Sequence, residues 1–265
     1  MADSEHHLVI DVGNTNTKVG VARNRQLLES FVLPTTVRDT SDTFGLKIFE
    51  LCRHLRISPN RFQSWLVSSV VPPVNTLIRQ AGERYSGCPV YFVPEDIGLP
   101  LTNAYANPQE VGADRLVTAF AARKLFDTPG LIVIDFGTAT TVECIQGWTY
   151  KGGLICPGVL SSLQALGGKT AKLPRIDLEV KRRSVCIGDS TVTSMKHGFV
   201  FGFAAMIEGL CSRLRLSLEG EVTVVATGGF ASTLEPVCSC LDVVQRELLL
   251  QGLIWASEGQ GPATA

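Results

Sequence analysis

The sequence of 265 residues lacks a surplus of charge of either sign. Its 24 basic and 25 acidic residues nearly cancel, for a formal net charge of -1. A global basic excess that would bind nucleic acid or an anionic membrane is therefore absent.

An uninterrupted apolar run of about 18 residues, as a membrane-spanning helix requires, is also missing. The start, MADSEHHLVI, has neither the basic segment nor the apolar core of a secretion signal. We therefore expect a cytoplasmic protein that has neither a membrane nor a nucleic-acid partner.

Histidine is scarce, and the cysteines do not follow a metal-binding pattern. The four histidines are scattered, and the close pair Cys238 and Cys240 has no second pair to complete it. A structural zinc site usually takes four such ligands at short spacings. Most of the eight cysteines fall within apolar runs, which is typical of buried thiols in a reducing compartment. The sequence therefore argues against a zinc site and favours the cytosol.

Two common nucleotide-binding motifs are missing as well. The chain has no G-x-x-x-x-G-K-[ST] run, and no G-x-G-x-x-G run opens a helix after a strand. These absences exclude an ordinary P-loop enzyme and an ordinary dinucleotide-binding protein. Any phosphate site must be built from other turns.

The residues that are present indicate a folded α/β protein. The hydrophobic fraction of 45% and charged fraction of 18% are typical of globular proteins, and the length allows one large domain or two ordinary ones. Apolar periodicity predicts a strand at residues 8–11, a strand at 19–22 and a third strand in LLESFVLP. A helix in DTFGLKIFELCRHLR, a strand in SWLVSSVVPP, a helix around Ile78 and a strand in PVYFVP follow.

The same order restarts after a helix that ends before Pro129. LIVIDFGTATTVECI is again strand, turn and strand, and GGLICPGV predicts a third strand that leads into a helix at 160–166. A long helix follows in STVTSMKHGFVFGFAAMIEGLCSRLRLSL, then a strand in VTVVATGGF and a closing helix in VQRELLLQGLIWA. Residues 257–265 are small and polar, so we expect a disordered tail.

The two series of elements open on similar stretches, VIDVGNTNTKVGVA and VIDFGTATTVECI. Their superposition aligns three pairs: Asp11 with Asp135, Gly13 with Gly137, and Thr17 with Thr141. This repetition indicates an internal duplication. We predict two related α/β lobes, residues 1–128 and 129–256, with a cleft between them.

Both turns carry groups that suit a phosphate. Glycine allows close approach of the main chain, backbone N–H groups and threonine hydroxyls can donate to phosphate oxygens, and an aspartate can hold a cation. Each turn alone fits a tight hairpin equally well, because Gly, Asn and Thr are common there. Their recurrence directly after an aspartate favours the phosphate interpretation, in which two facing turns clamp a polyphosphate.

Two further stretches are candidates. In GADR, residues 112–115, Asp114 is suited to accept a proton from an attacking hydroxyl and Arg115 to pair with an anion; the alternative is an exposed Asp-Arg pair that begins a helix. In ATGGF, Gly228 and Gly229 offer bare backbone to an adenine or ribose, or form a simple turn between strand and helix.

Taken together, these stretches resemble type III pantothenate kinases. DVGNTNTKVG, NPQEVGADR, DFGTATT, GGLICPGV, TAKLP, IGDST and ATGGF occur in that family's order, and the resemblance covers residues 8 to about 256. The family belongs to the acetate kinase, sugar kinase, heat-shock 70 and actin superfamily, whose actin-like ATPase fold has duplicated ribonuclease-H-like lobes. The resemblance implies ATP-dependent phosphorylation of pantothenate to 4′-phosphopantothenate, the first step of coenzyme A biosynthesis. It also implies Mg²⁺ with ATP, a monovalent cation (K⁺ or NH₄⁺) and a homodimer.

The resemblance further implies roles for individual residues. Asp114 would be the general base, Asp11 would hold magnesium, and Asp135 would lie at the monovalent cation site. ATP would contact Asp11, Gly13, Asn14, Thr15, Lys18, Gly137, Thr138, Thr140, Gly228 and Gly229. Pantothenate would contact Tyr105, Gly112, Ala113, Asp114, Arg115 and Thr191, the last across the dimer interface.

Two other functions are compatible with this fold. Relatives described as accessory factors in transcription suggest a non-catalytic regulator that binds a nucleotide or metabolite, and the superfamily also contains sugar and acetate kinases. The joint presence of Asp11, Asp114, Arg115 and Asp135 argues against a decayed active site. The choice of pantothenate over another acceptor depends on the family signature alone.

Overall fold

The first predicted hairpin forms and extends into a five-stranded sheet. The computed structural model describes residues 6–169, 176–179 and 183–259. Three strands form an antiparallel meander, and two more join it in parallel: β1 (His6–Val12), β2 (Asn16–Arg23), β3 (Gln26–Pro34), β4 (Phe62–Ser69) and β5 (Val90–Phe92). The order across the sheet is β3-β2-β1-β4-β5.

Two helices cover one face of this sheet, as the apolar periodicity predicts. They are α1 (Ser41–Leu55) and α2 (Pro72–Ser86). Helix α1 begins at Thr40, whose hydroxyl accepts the Thr43 amide at 3.2 Å, and α2 begins on prolines that have no amide to satisfy. Ile48 of α1 and Ile78 of α2 pack with Trp65 in a buried cluster. Burial of this apolar surface stabilises the sheet.

The second series builds a sheet with the same order of strands. Its members are β6 (Thr102–Asn103), β7 (Gly130–Phe136), β8 (Ala139–Gln146), β9 (Thr149–Pro157), β10 (Val222–Thr227) and β11 (Val243–Val244), arranged β11-β10-β7-β8-β9-β6. Without the added edge strand β6, this arrangement reproduces the first sheet strand for strand. The predicted duplication is therefore confirmed. Neither β6 nor the short β11 is predicted from the sequence.

Helices α3 (Ala113–Leu125), α4 (Val159–Lys169), α5 (Thr191–Leu214) and α6 (Ala231–Leu234) complete the middle of the chain. Ser190 begins α5 by accepting the Thr193 amide at 3.2 Å. The helix ends four residues before the predicted limit, because Arg215–Ser217 tighten into a 3-10 turn. Val200 and Ile207 of α5 pack on Ile134 in the core of the second sheet.

The closing helix α7 (Leu248–Ala256) corrects the predicted division of the chain. The sequence predicts a helix from residue 244 within a second lobe that ends at 256, but Val243–Val244 form strand β11 and the helix begins at Leu248. Leu250 and Leu253 of α7 pack with Val9 and Val117 on the free face of the first sheet. An almost wholly apolar helix needs a face to cover, and that face is in the first unit.

The compact units consequently interleave along the chain. Within the described residues, one unit comprises the chain up to Pro100, Gln109–Ala121 and the stretch from Leu248, and the other comprises Leu101–Pro108 and Ala122–Glu247. The predicted linear boundary at residue 128 therefore differs from the observed division. Strand β6 belongs to the second unit because it pairs with β9.

Two predicted features fall wholly or partly outside the described residues: the TAKLP stretch and residues 260–265 of the expected disordered tail. Ser257–Gly259, the start of that tail, form a 3-10 turn rather than a disordered segment. Across the described ranges, every helix is too short or too polar to cross a bilayer.

Candidate active site

The first aspartate turn brings several predicted residues together at one end of the first sheet. Asp11 is the penultimate residue of β1 and lies opposite Lys18 of β2; both side chains are half-buried. The Gly13 amide donates to the Asn16 carbonyl at 3.0 Å and closes the turn. Asn14 is exposed at its tip, as is the neighbouring Thr15. A carboxylate, an ammonium group and open backbone thus share one small region.

Thr35, which sequence reasoning missed, holds this turn in place. Its amide donates to the Thr15 carbonyl at 3.0 Å, and its hydroxyl donates to the Gly13 carbonyl at 2.7 Å. The same hydroxyl lies 2.8 Å from that of Thr17. These bonds arise only because β3 ends beside the turn, so no local pattern announces them. They order the turn without a ligand, as a preorganised site requires.

The second aspartate turn has the same construction with one residue fewer. Asp135, near the end of β7, pairs with Thr141, whereas Asp11 pairs with Lys18. The predicted alignment of Thr17 with Thr141 is therefore wrong: strand pairing aligns Thr17 with Thr140. The first hairpin has four residues beyond its last pair and the second has three, a difference that a gapless superposition hides.

Backbone packing shapes the second turn. Gly158 lies so close to the Thr138 carbonyl that a side chain would not fit, and the Ser161 hydroxyl donates to the same carbonyl at 2.7 Å. A Cβ atom on Gly137 would lie 3.5 Å from the Asp135 carboxylate, which is an ordinary van der Waals contact. Thr138 itself is exposed. The turn therefore presents backbone and one hydroxyl to its surroundings.

The glycine pair of ATGGF joins this turn. Strand β10 runs parallel to β7 with Thr227 beside Asp135, so Gly228 follows at the level of Phe136. Gly228 has a φ of +88°, and a side chain there would overlap the Asp135 carboxylate and the Phe136 backbone. Gly229 has open space instead. The structure thus brings Asp135, Gly137 and Gly228 together.

Thr140 is the predicted phosphate residue that the structure leaves inside the protein. It pairs with Phe136, so its side chain leaves the sheet on the face opposite to that of Asp135. The hydroxyl is fully buried and has no hydrogen-bond partner among the described residues. The exposed part of this turn is at Thr138, not at Thr140.

The GADR stretch lies at the same end of the first sheet as Asp11. The Val70 amide, just after β4, donates to the Val12 carbonyl at 3.0 Å, and the Val70 side chain would be 3.2 Å from a Cβ on Gly112. Gly112 also abuts the Asp114 carboxylate. The end of β1, the end of β4 and the start of α3 therefore meet at one place.

Asp114 and Arg115 occupy the first turn of α3. Asp114 is half-buried, and its Oδ1 accepts the Arg115 amide at 2.8 Å, which fixes the carboxylate near the positive end of the helix. Ala113 is the first residue of the helix and Arg115 is 8% exposed. The alternative of an exposed Asp-Arg pair is wrong for Arg115, since a surface pair would not bury the guanidinium stem.

Tyr105 belongs to the second unit and has a buried support that sequence reasoning missed. Its ring lies 6.4 Å from that of Tyr150 and 3.3 Å from the position that a Cβ on Gly152 would take; the φ of Gly152 is +116°. The Tyr150 hydroxyl donates to Glu143 Oε2 at 2.6 Å, and both residues are buried.

Thr191 lies elsewhere in this unit, exposed at the start of α5. It borders a groove of ≈ 920 Å³ whose floor includes Phe199 and Phe203.

Comparison with known proteins identifies the family to which the chain is similar. The family model described as type III pantothenate kinase matches residues 7–213. A type III pantothenate kinase from Nitratidesulfovibrio vulgaris (strain Miyazaki F) is 54% identical over 251 residues, which cover 94% of this chain and 96% of that protein. Sequence similarity therefore extends over nearly the whole chain.

Solved structures agree in fold. The chain resembles a ROK family glucokinase from Streptomyces griseus, solved with glucose and AMPPNP, with a TM-score of 0.54 at 13% identity over 96% of this chain and 100% of that one. A Campylobacter jejuni protein assigned to the Baf family of transcriptional activators gives 0.58 at 16% identity over 95% and 97%. At such identities they show the fold alone, which is the predicted two-lobe, actin-like ATPase fold with ribonuclease-H-like lobes.

Proposed function

Because the chain belongs to the type III pantothenate kinase family, we propose that it transfers the γ-phosphoryl group of ATP to the terminal hydroxyl of pantothenate. The product is 4′-phosphopantothenate, formed in the first step of coenzyme A biosynthesis. The observation that carries this proposal within the structure is the meeting of the Asp11 turn with the GADR helix start at one sheet end. Phosphoryl transfer depends mainly on positioning and charge neutralisation, and this arrangement suits both.

Asp114 is the general base in this proposal. It accepts the proton of the pantothenate hydroxyl as that oxygen attacks the γ-phosphorus. Its support is the half-buried carboxylate held by the Arg115 amide, which limits the directions in which it can point. Arg115 neutralises the anionic end of the substrate, and Gly112 and Ala113 leave space beside the base.

The two turns hold the ATP phosphates. Gly13, Asn14, Thr15 and Lys18 act from the first turn, and Gly137, Thr138, Gly228 and Gly229 act from the second. The Thr140 hydroxyl is fully buried and is not assigned to the phosphates. Asp11 fits a magnesium site, because a half-buried carboxylate at an exposed turn has the hard oxygen that Mg²⁺ prefers. When bound with ATP, magnesium offsets phosphate charge. Lys18, registered with Asp11, adds a second positive group.

Asp135 is the residue that we assign to a monovalent cation, K⁺ or NH₄⁺. Its carboxylate is half-buried and faces the bare backbone of Gly228. Oxygen atoms can coordinate K⁺, and carboxylate and carbonyl oxygens can accept hydrogen bonds from NH₄⁺. The cation adds positive charge on the second side of the polyphosphate.

Pantothenate recognition also uses Tyr105 and Thr191, and we propose that Thr191 acts across a homodimer interface. The support is its position beside the apolar groove of α5, where Met195, Phe199 and Phe203 line one side. A second copy covering this groove would bury apolar surface. Eight free cysteines suit the reducing cytoplasm in which we place the enzyme.

A coupled assay of ADP release tests the function. It uses ATP, Mg²⁺ and pantothenate, with K⁺, NH₄⁺ or Na⁺ as the monovalent cation. We expect pantothenate-dependent ADP release that is faster in K⁺ or NH₄⁺ than in Na⁺. Absence of that release in all three cations would contradict kinase activity. It would leave the alternative of a non-catalytic regulator, which no observation on the described residues favours. ADP release that depends on a sugar or acetate instead of pantothenate would contradict the proposal that pantothenate is the phosphoryl acceptor.

A further inference from the structure

Ser68 is a fully buried hydroxyl at the candidate active site to which the family resemblance gives no role. It is the penultimate residue of β4 and is registered directly with Asp11 of β1. Its exposure is 0%, and among the described residues its Oγ has no hydrogen-bond partner. Buried hydroxyls are nearly always paired because an unpaired one costs free energy. This exception needs a reason.

The hydroxyl faces the side of the sheet on which the proposed chemistry lies. Alternate residues of a strand point to opposite faces, so Ser68 shares the face of Leu66, which packs with Val117 of α3. By the same alternation Asp11 shares the face of Val9, a member of the same cluster. Ser68 and Asp11 are therefore neighbours on the face that α3 covers.

The start of α3 reaches the same place. The Val70 side chain, two residues after Ser68, lies 3.2 Å from the position that a Cβ on Gly112 of GADR would take, and the Val70 amide donates to the Val12 carbonyl. Ser68 is thus enclosed where the aspartate turn and the GADR helix meet. Adjacent strands lie about 4.8 Å apart, so a change of rotamer brings the serine hydroxyl to the carboxylate of its registered neighbour.

The duplicated lobe shows that an unpaired hydroxyl is not a requirement of this strand position. There the equivalent residue is Thr227, registered with Asp135. Its hydroxyl donates to the Arg246 carbonyl at 3.5 Å. The two copies have therefore diverged at this position: the Thr227 hydroxyl donates to a backbone carbonyl, whereas the Ser68 hydroxyl has no partner among the described residues.

We propose that Ser68 is a positioning residue for Asp11: its hydroxyl donates to the Asp11 carboxylate when Mg·ATP binds and holds that carboxylate toward the metal. This inference rests on the proposed role of Asp11. Lys18 approaches Asp11 from the other neighbouring strand, so the carboxylate is set between two donors. The serine acts through Asp11 and touches neither substrate.

Ser68→Ala tests the proposal, with Ser64→Ala as the matched control. Ser64 lies on the same strand and face, is 6% exposed, and has its hydroxyl 2.9 Å from His7 Nδ1. Without ligand, Ser64→Ala lowers the unfolding temperature, whereas Ser68→Ala leaves it unchanged or raises it, because no existing bond is lost. Calorimetry with AMPPNP then measures binding with and without Mg²⁺. For Ser68→Ala we expect roughly tenfold weaker binding with Mg²⁺, and no change without it.

Ser68→Thr and Ser68→Val provide a rescue test, since their side chains have nearly the same shape and the equivalent strand position already accommodates a threonine. Binding of Mg·AMPPNP by the threonine variant should approach that of the wild type, and binding by the valine variant should match Ser68→Ala. Equal Mg-dependent affinities in all variants would overturn the proposal. So would a fall in the ligand-free unfolding temperature of Ser68→Ala as large as that of Ser64→Ala. Because these measurements need no turnover, they stand apart from failure of the kinase assay.

Discussion

Gly228 lies against the Asp135 carboxylate so closely that no side chain fits between them. The contact follows from the parallel pairing of β10 with β7, which sets Thr227 beside Asp135. The positive φ of +88° at Gly228 turns the chain across the strand end, and the carboxylate is left facing bare backbone. This relationship joins two stretches, DFGTATT and ATGGF, that are about ninety residues apart in the sequence.

Gly228→Ala should therefore damage both stability and nucleotide binding. The left-handed backbone and the overlap together cost at least about 1–3 kcal/mol of unfolding free energy, and relief of the overlap displaces Asp135. Chemical denaturation and calorimetry with AMPPNP measure the two effects. Gly229→Ala is the matched control, because its added methyl meets open space. Equal behaviour of the two variants would contradict the role assigned to Gly228.

Asp114→Asn tests the general base. We expect a loss of turnover of roughly 10²- to 10⁴-fold, because the amide cannot accept the proton of the attacking hydroxyl. The amide oxygen can still accept the Arg115 amide, so folding and binding of Mg·AMPPNP should remain nearly unchanged. Glu110→Gln removes a nearby exposed carboxylate and serves as the control. Near-normal turnover of Asp114→Asn would remove this residue from the role.

Tyr150→Phe probes the support of Tyr105. Loss of the phenolic hydroxyl removes the 2.6 Å hydrogen bond to the buried Glu143. The ring at position 150, which supports Tyr105, therefore becomes less ordered. We expect the KM for pantothenate to rise several-fold, with the KM for ATP unchanged, in steady-state kinetics. Tyr91→Phe changes a tyrosine of the first unit and provides the comparison. A parallel rise in both KM values would instead indicate a general loss of structure.

Buried thiols predict a fall in stability at alkaline pH. Burial raises the pKa of Cys52, Cys88 and Cys144 from 9.0 to about 11, the nearby Glu143 adding to the effect at Cys144. Between pH 9 and pH 11, the thiols of the unfolded chain have lost protons that the same thiols keep in the folded protein. The unfolding free energy is therefore unaffected by these groups below pH 9 and decreases as pH rises from 9 to 11.

Denaturant unfolding measured from pH 8 to pH 11 checks this expectation. Cys52→Ala should flatten the alkaline fall by up to about 2–3 kcal/mol. Cys156→Ala, which removes a thiol outside the fully buried set, should leave the slope as in the wild type. If the unfolding free energy fell equally steeply with pH in the wild type and in Cys52→Ala, the buried Cys52 thiol would not be a cause of the alkaline fall.

Much of the local structure follows from the sequence, because it depends on short-range patterns. The apolar runs on either side of the Asp11 and Asp135 turns predict both hairpins, and apolar periodicity predicts helices α1 and α5. Recurrence of one turn chemistry predicts the duplication. The family resemblance is likewise a property of short ordered stretches, and the match over residues 7–213 agrees with it.

Other features depend on which elements meet in space. Thr35 and Ser68 carry no local signal, since their importance comes from the register of β3 and β4 beside the Asp11 turn. The one-residue difference between the two hairpins is visible only in strand pairing. Helix α7 joins the first unit because its apolar surface covers the face containing Val9. The sequence by itself determined the repeated elements and their candidate chemistry; tertiary structure alone decided their partners, because register and long-range packing are properties of the assembled chain.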